Sequence, residues 1–184
     1  MKNYLLLSAL LICVILCGCA PQAKPISPPP YPPPTTPATP ILEGSVMGKV
    51  MLQGRTSHAG VTLTIGELAP VTTSSDGGYA VLRGVPKGQH IIKAEKTGYL
   101  SAEGHVIIED EIPTKTMPPI TLLAGDLNGD RTVNLFDLVL IGTIFGQQDM
   151  ESLRSDLNGD GMVNLFDLVL VGNNLGRNGP LPFE

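Results

Sequence analysis

The sequence is short of the residues that carry most catalysis and most glycan or nucleic-acid recognition. Its three cysteines, Cys13, Cys17 and Cys19, all fall at the extreme N-terminus, so the rest of the chain has no disulfide framework and no thiolate metal site. There is no tryptophan and only 4% of residues are aromatic, which removes the flat platform that direct glycan binding ordinarily uses. Lysine and arginine number 12 against 17 acidic residues, with no basic patch interleaved with aromatics, so nucleic acid is not an expected partner. The three histidines, His58, His90 and His105, are scattered, with neither HExxH spacing nor a serine or cysteine nucleophile motif. The acidic run Glu109-Asp110-Glu111 precedes a turn at Pro113 and reads as a solvated loop. No catalytic residue emerges, and an enzyme is not expected. The length of 184 residues allows one ordinary domain or two small ones.

The chain divides by composition. Residues 1–19 carry Lys2 and an apolar run from Tyr4 to Leu16, too short to span a bilayer as a mature helix and better read as a removed signal segment. Leu16-Cys17-Gly18-Cys19 resembles the bacterial lipobox, although Cys17 departs from its usual small residue. That resemblance implies lipidation of Cys19 and attachment to the outer face of a bacterial membrane, where a diacyl anchor holds and a single chain is marginal. Residues 20–41 are a stalk: half the positions from Pro21 to Pro40 are proline, which excludes helix and sheet and gives a reach on the order of 60 Å at about 3.1 Å per residue.

From residue 42 to 123 short alternating apolar runs are broken by turn residues. The pattern predicts strands near Ser45–Leu52, Val61–Ile65, Val71–Thr73, Tyr79–Leu82, His90–Glu95, Val106–Ile108 and Met117–Leu122, with turns at Asp76-Gly77-Gly78 and Pro86-Lys87-Gly88. Strands of this kind without a helix predict a small all-β sandwich. The succession Gly60-Val61, Asp76-Gly77-Gly78-Tyr79, Pro86-Lys87-Gly88 and Gly98-Tyr99 resembles the carboxypeptidase-regulatory-like domain. That resemblance implies a prealbumin-like sandwich, a fold more than a function.

Residues 124–180 hold a repeat. DLNGDRTVNLFDLVLIG from Asp126 recurs as DLNGDGMVNLFDLVLVG from Asp156, a period of 30 residues. Oxygen-bearing side chains fall at loop positions 1, 3, 5, 9 and 12: Asp126, Asn128, Asp130, Asn134 and Asp137, then Asp156, Asn158, Asp160, Asn164 and Asp167. Calcium takes 6–8 hard oxygen ligands, and a tight loop supplies them from alternate residues plus the carbonyl at position 7, here Thr132 and Met162. The spacing therefore predicts two Ca2+ ions. Position 6, where glycine permits the sharp turn, is Arg131 in the first loop and Gly161 in the second, so the first loop is expected to bind more weakly.

Each loop runs into a predicted helix, Leu135–Phe145 and Leu165–Leu175, with Val133, Leu138, Ile141, Val163, Leu168 and Val171 as candidate core. The duplicated arrangement resembles the dockerin family, giving a mixed fold class: a small β-sandwich followed by a small α module of two calcium loop-helix repeats. In dockerins Leu135-Phe136 and Leu165-Phe166 would lie on the cohesin-contacting face. These four side chains are thus candidate partner-binding residues, the competing expectation being that they pack within the chain. The resemblance implies a calcium-dependent, non-catalytic surface adaptor docking a cohesin-type protein in an extracellular assembly of the kind that degrades polysaccharides. The alternative is an envelope- or carbohydrate-binding lipoprotein in which the calcium module is structural.

Overall fold

The computed structural model describes residues 44–109, 114–149 and 152–183. The leader with Cys19, the stalk, and Asp110, Glu111 and Pro113 lie outside them. Alternation along Gly44–Leu52 buries Val46, Val50 and Leu52 on one face, the period of a half-buried strand, and this segment is β1. There follow β2 (Thr62–Ile65), β3 (Val71–Thr72), β4 (Gly78–Val85), β5 (Gly88–Glu95), β6 (Ala102–Ile108), β7 (Thr114–Thr116) and β8 (Ile120–Leu122). Helices α1 (Leu135–Thr143) and α2 (Leu165–Asn173) come next, with a 3-10 turn at Ser152–Ser155 between them, and β9 (Leu181–Pro182) closes the order.

Two sheets form. In one, β4 is antiparallel to β1, while β7 and β8 both run parallel to β1 in successive registers, Ser45 opposite Thr114 and Val50 opposite Ile120. The other has the order β3-β2-β5-β6-β9, antiparallel except for the parallel β6–β9 pair. The single strand expected over Met117–Leu122 is instead two short ones. Pro118 and Pro119 offer no N–H to a ladder, so pairing with β1 lapses between Thr116 and Ile120. β6 starts at Ala102, earlier than the expected Val106, because β5 offers it a full antiparallel partner from Gly88 to Ala94.

The β-rich part and the helices share one apolar core. Val46, Leu63, Ile92, Leu100 and Leu122 pack in the same cluster as Val133, Ile141, Leu157, Val163 and Val171, and burying each such side chain is worth about 1.5–3 kcal/mol. The expected core positions Leu138 and Leu168 pack partly buried against it. Gly98 sits where the two parts touch: its φ is +82°, and a Cβ there would lie 2.8 Å from a Leu157 methyl. Any larger residue would be strained in backbone and crowded by the second loop.

The end of the chain crosses back. Gly179 N donates to Arg131 O at 2.8 Å, Leu181 N donates to Ser101 O at 2.8 Å, and β9 extends the sheet beside β6. The last residues thereby tie the first loop to the edge of the second sheet.

Candidate metal centre and docking face

Both helices begin in the same way. Asn134 and Asn164 are N-caps, their side-chain oxygens accepting from Phe136 N at 2.7 Å and Phe166 N at 2.8 Å. Three residues on, Asp137 and Asp167 reach back to the cap N–H, completing a capping box and favouring the positive helix end. These two aspartates are fully buried. Asp137 Oδ1 also accepts from Leu127 N and Asn128 N, and Asp167 Oδ1 from Leu157 N and Asn158 N, so each buried carboxylate closes its own loop onto its helix. Without such partners a buried charge would cost several kcal/mol, roughly.

Within the first loop Asn128 Nδ2 and Asn134 Nδ2 donate to Asp130 Oδ2 at 2.9 and 3.2 Å, and Asn134 Nδ2 also reaches Thr132 O at 3.3 Å. Positions 3, 5, 7 and 9 therefore converge. The second loop repeats the contacts of Asn158 and Asn164 with Asp160, at 2.9 and 2.7 Å. Asp126 and Asp156 are almost fully buried and fold the loops over themselves, accepting from Gly129 N and Arg131 N in one and from Gly159 N and Gly161 N in the other. Burial pushes the Asp126 carboxyl above its usual range, and the nearby Asp137 and Asp130 charges add to the rise. Asp130 and Asp160 are held below theirs, chiefly by the Asn128 and Asn158 side chains respectively.

Among the described residues no group of three or more His, Cys, Asp or Glu alone could hold a metal ion. Amide and main-chain oxygens at positions 3, 7 and 9 stand beside the aspartates, an all-oxygen set that suits a hard cation such as calcium. Oxygen donors at alternate positions of a loop closed by main-chain bonds fit that cation: Asp126, Asn128, Asp130, the Thr132 carbonyl and Asp137 would hold it in the first loop. Asp156, Asn158, Asp160, the Met162 carbonyl and Asp167 would do so in the second. Asn134 and Asn164, expected among the ligands at position 9, also cap their helices, their Oδ1 atoms accepting from Phe136 N and Phe166 N, and ligation through a water is common at that position.

The two repeats interlock. Val133 exchanges main-chain hydrogen bonds with Gly176 and Arg177 after α2, and Val163 does the same with Gly146 and Gln147 after α1. This crossing leaves Leu135, Phe136, Leu165 and Phe166 on the first turns of their helices, 70%, 73%, 60% and 69% exposed. The expectation that they pack within the chain does not hold. Val139 and Val169, one turn further on, are also exposed. So many large apolar side chains exposed on two short helices point to an interaction surface.

Sequence reasoning missed the grip on the second loop. Arg55 Nε donates to Leu157 O at 3.0 Å, and its Nη2 donates to Asp156 O. The Tyr99 hydroxyl donates to Leu157 O at 2.6 Å. Asn174, just after α2, donates to Gln53 Oε1 and Ala124 O, both at 2.6 Å. The histidines serve local structure: His58 Nδ1 accepts from Leu52 N, His90 meets Pro86 O, and His105 meets Gln89.

Residues 124–176 match the family model of the dockerin type I domain. Two solved structures from Acetivibrio cellulolyticus are similar over more of the chain. Both are type II cohesin–X-dockerin complexes, one altered at the N-terminal interface and one at the C-terminal interface. Each is 25% identical and covers 73% of this chain and 97% of that one, with TM-scores of 0.63 and 0.62. No curated protein matches the chain. The similarity thus reaches past the helices into the β-rich part. Calcium binding is general to type I dockerin domains, and residues 124–176 carry the pattern of such a domain, a non-catalytic module.

Proposed function

We propose that the chain is a calcium-dependent adaptor that docks a cohesin-type protein through Leu135, Phe136, Leu165 and Phe166, with one ion in each loop. The exposure of all four side chains carries this reading, because burying them requires a partner. The similar structures contain a cohesin beside the dockerin, which supports the class of partner. The apolar character of the pairs favours a cohesin with an apolar face, of the type II kind. The β-rich part, as a prealbumin-like sandwich, then serves as a rigid spacer bonded to the second loop through Arg55 and Tyr99. On this reading Cys19 carries lipid, the proline stalk lifts the adaptor off the outer membrane face, and the assembly it joins is extracellular and acts on polysaccharide. The Leu16-Cys17-Gly18-Cys19 motif supports the anchor, and Cys19→Ala should release the protein from the membrane fraction.

The test titrates the full chain with type I and type II cohesins, in calcium and in chelator. Binding to the type II cohesin in calcium, lost when all four Leu and Phe residues become Ser while the melting temperature holds, is the outcome expected. A serine variant that binds as well as its parent would remove this face from the proposal.

A further inference from the structure

Between the β-rich part and the first loop lies a cleft of about 770 Å³, separate from the apolar docking face. Four cations line it, Arg55 and Lys96 from the β-rich part, Arg131 from the first loop and Arg154 from the 3-10 turn, and only two carboxylates, Glu95 and Asp126, stand against them. Among the described residues none of the four cations makes an ion pair with another described residue; Lys93 and Glu103, which do pair, lie elsewhere. This excess of positive charge occurs in a chain whose formal charge is -5. Concentrating uncompensated cations in one concavity costs free energy through their mutual repulsion, which an anion relieves. Lys96 registers that repulsion: burial and the Arg55 charge together hold its amine below the usual lysine range.

Hydroxyl groups of Thr62, Thr97 and Ser101 complete the wall, and no exposed aromatic face is among its lining residues. The volume falls within the range of small-molecule sites, about 300–1,000 Å³, and is larger than a bare inorganic anion needs. Guanidinium and ammonium groups beside hydroxyls match an oxyanion carried on a hydroxylated molecule. We propose that this cleft is a binding site for a small hydroxylated oxyanion, a sugar acid or a sugar phosphate, which nothing in the docking function requires. Arg131 and Arg154, whose side chains are exposed, contact the anion from the rim. Lys96, which donates to Gly60 O at 3.2 Å, contacts it from the β-rich wall.

The test is calorimetric titration of the full chain in calcium with glucuronate, glucose 6-phosphate and inorganic sulfate, with neutral glucose as control. Saturable one-to-one binding of a sugar anion, weakened at least tenfold in Arg154→Gln and in Lys96→Gln with unchanged melting temperatures, is expected. Which sugar anion binds identifies carboxylate or phosphate as the group recognised. Because Lys96 also bonds the main chain, Arg154→Gln is the decisive variant should Lys96→Gln fail to fold. Glucose binding as tightly as the anions, sulfate binding as tightly as either sugar anion, no saturable binding by any probe, or binding untouched by Arg154→Gln would each overturn the proposal.

Discussion

Arg131 and Gly161 stand at the same position of the two repeats, and both hold a left-handed backbone, at φ +68° and +96°. The first loop bends there at a cost the second does not bear, about 1–2 kcal/mol for an L residue, against which glycine's extra freedom in the unfolded chain sets about 0.5–1 kcal/mol. Arg131→Gly should therefore stabilise the protein by up to about 1 kcal/mol, a rise in melting temperature of about 2–4 °C. Thermal unfolding in calcium checks it. A fall in melting temperature would mean that the Arg131 side chain holds the fold more than its backbone strains it.

Removing calcium should strip helical circular dichroism and lower the melting temperature of the full chain. At free calcium 100 times Kd the bound state gains about 2.7 kcal/mol, and the empty loops keep their carboxylates close without a counter-charge. The loops should differ. Asp156→Ala is expected to cost more calcium affinity than Asp126→Ala, because the second loop is unstrained at Gly161 and braced by Arg55. In chelator the difference should narrow, since calcium affinity no longer separates the two variants. Helical signal and melting temperature indifferent to chelator would sink the calcium assignment of both loops.

Much of the site was legible because it is local. The oxygen-bearing positions of each loop lie within twelve residues of one another, so spacing alone singles them out. The capping of α1 and α2 by Asn134 and Asn164 was not read, and the exposure of Leu135-Phe136 follows from their seat on the first helical turn. What was not legible joins distant residues. Arg55 meets Asp156 and Leu157 across more than a hundred positions, and nothing in the GRTS segment around it signals a partner. β9 escaped because two residues ending in a proline carry no strand pattern. The break between β7 and β8 was readable in Pro118-Pro119, but the apolar run across them masked it.

Tyr79 is almost fully buried, and its hydroxyl has no hydrogen-bond partner among the described residues. Burial drives the phenol well above the ordinary tyrosine range, so it stays protonated and carries an unmet donor at every working pH. Tyr79→Phe keeps the ring over Gly48 and deletes only that group. The variant should be more stable by about 1 kcal/mol, read from urea unfolding with an unchanged m value. A loss of stability instead would show that the hydroxyl is satisfied in solution by an ordered water.

Arg55 is the residue whose loss should connect the two halves of the molecule in a measurement. Its guanidinium donates to two successive carbonyls of the second loop, Asp156 and Leu157, and Nε also approaches the Tyr99 hydroxyl at 3.2 Å. A hydrogen bond from a charged donor contributes about 1.5–3 kcal/mol, and Arg55→Ala leaves the partly buried carbonyls without it. Arg55→Ala should lower stability by roughly that amount and weaken calcium binding at the second loop, although Arg55 supplies no metal ligand. Tyr99→Phe, which removes the 2.6 Å bond to Leu157 O and keeps the ring, should have the same effect at about 1 kcal/mol. The discriminating measurement is a double-mutant cycle between Arg55→Ala and Asp156→Ala, read as calcium affinity. If the β-rich part braces the loop for its ion, the double variant loses less than the two single losses combined, by about 0.5–3 kcal/mol. Strict additivity would mean that the β-rich part merely sits beside the loop and contributes nothing to how it holds calcium.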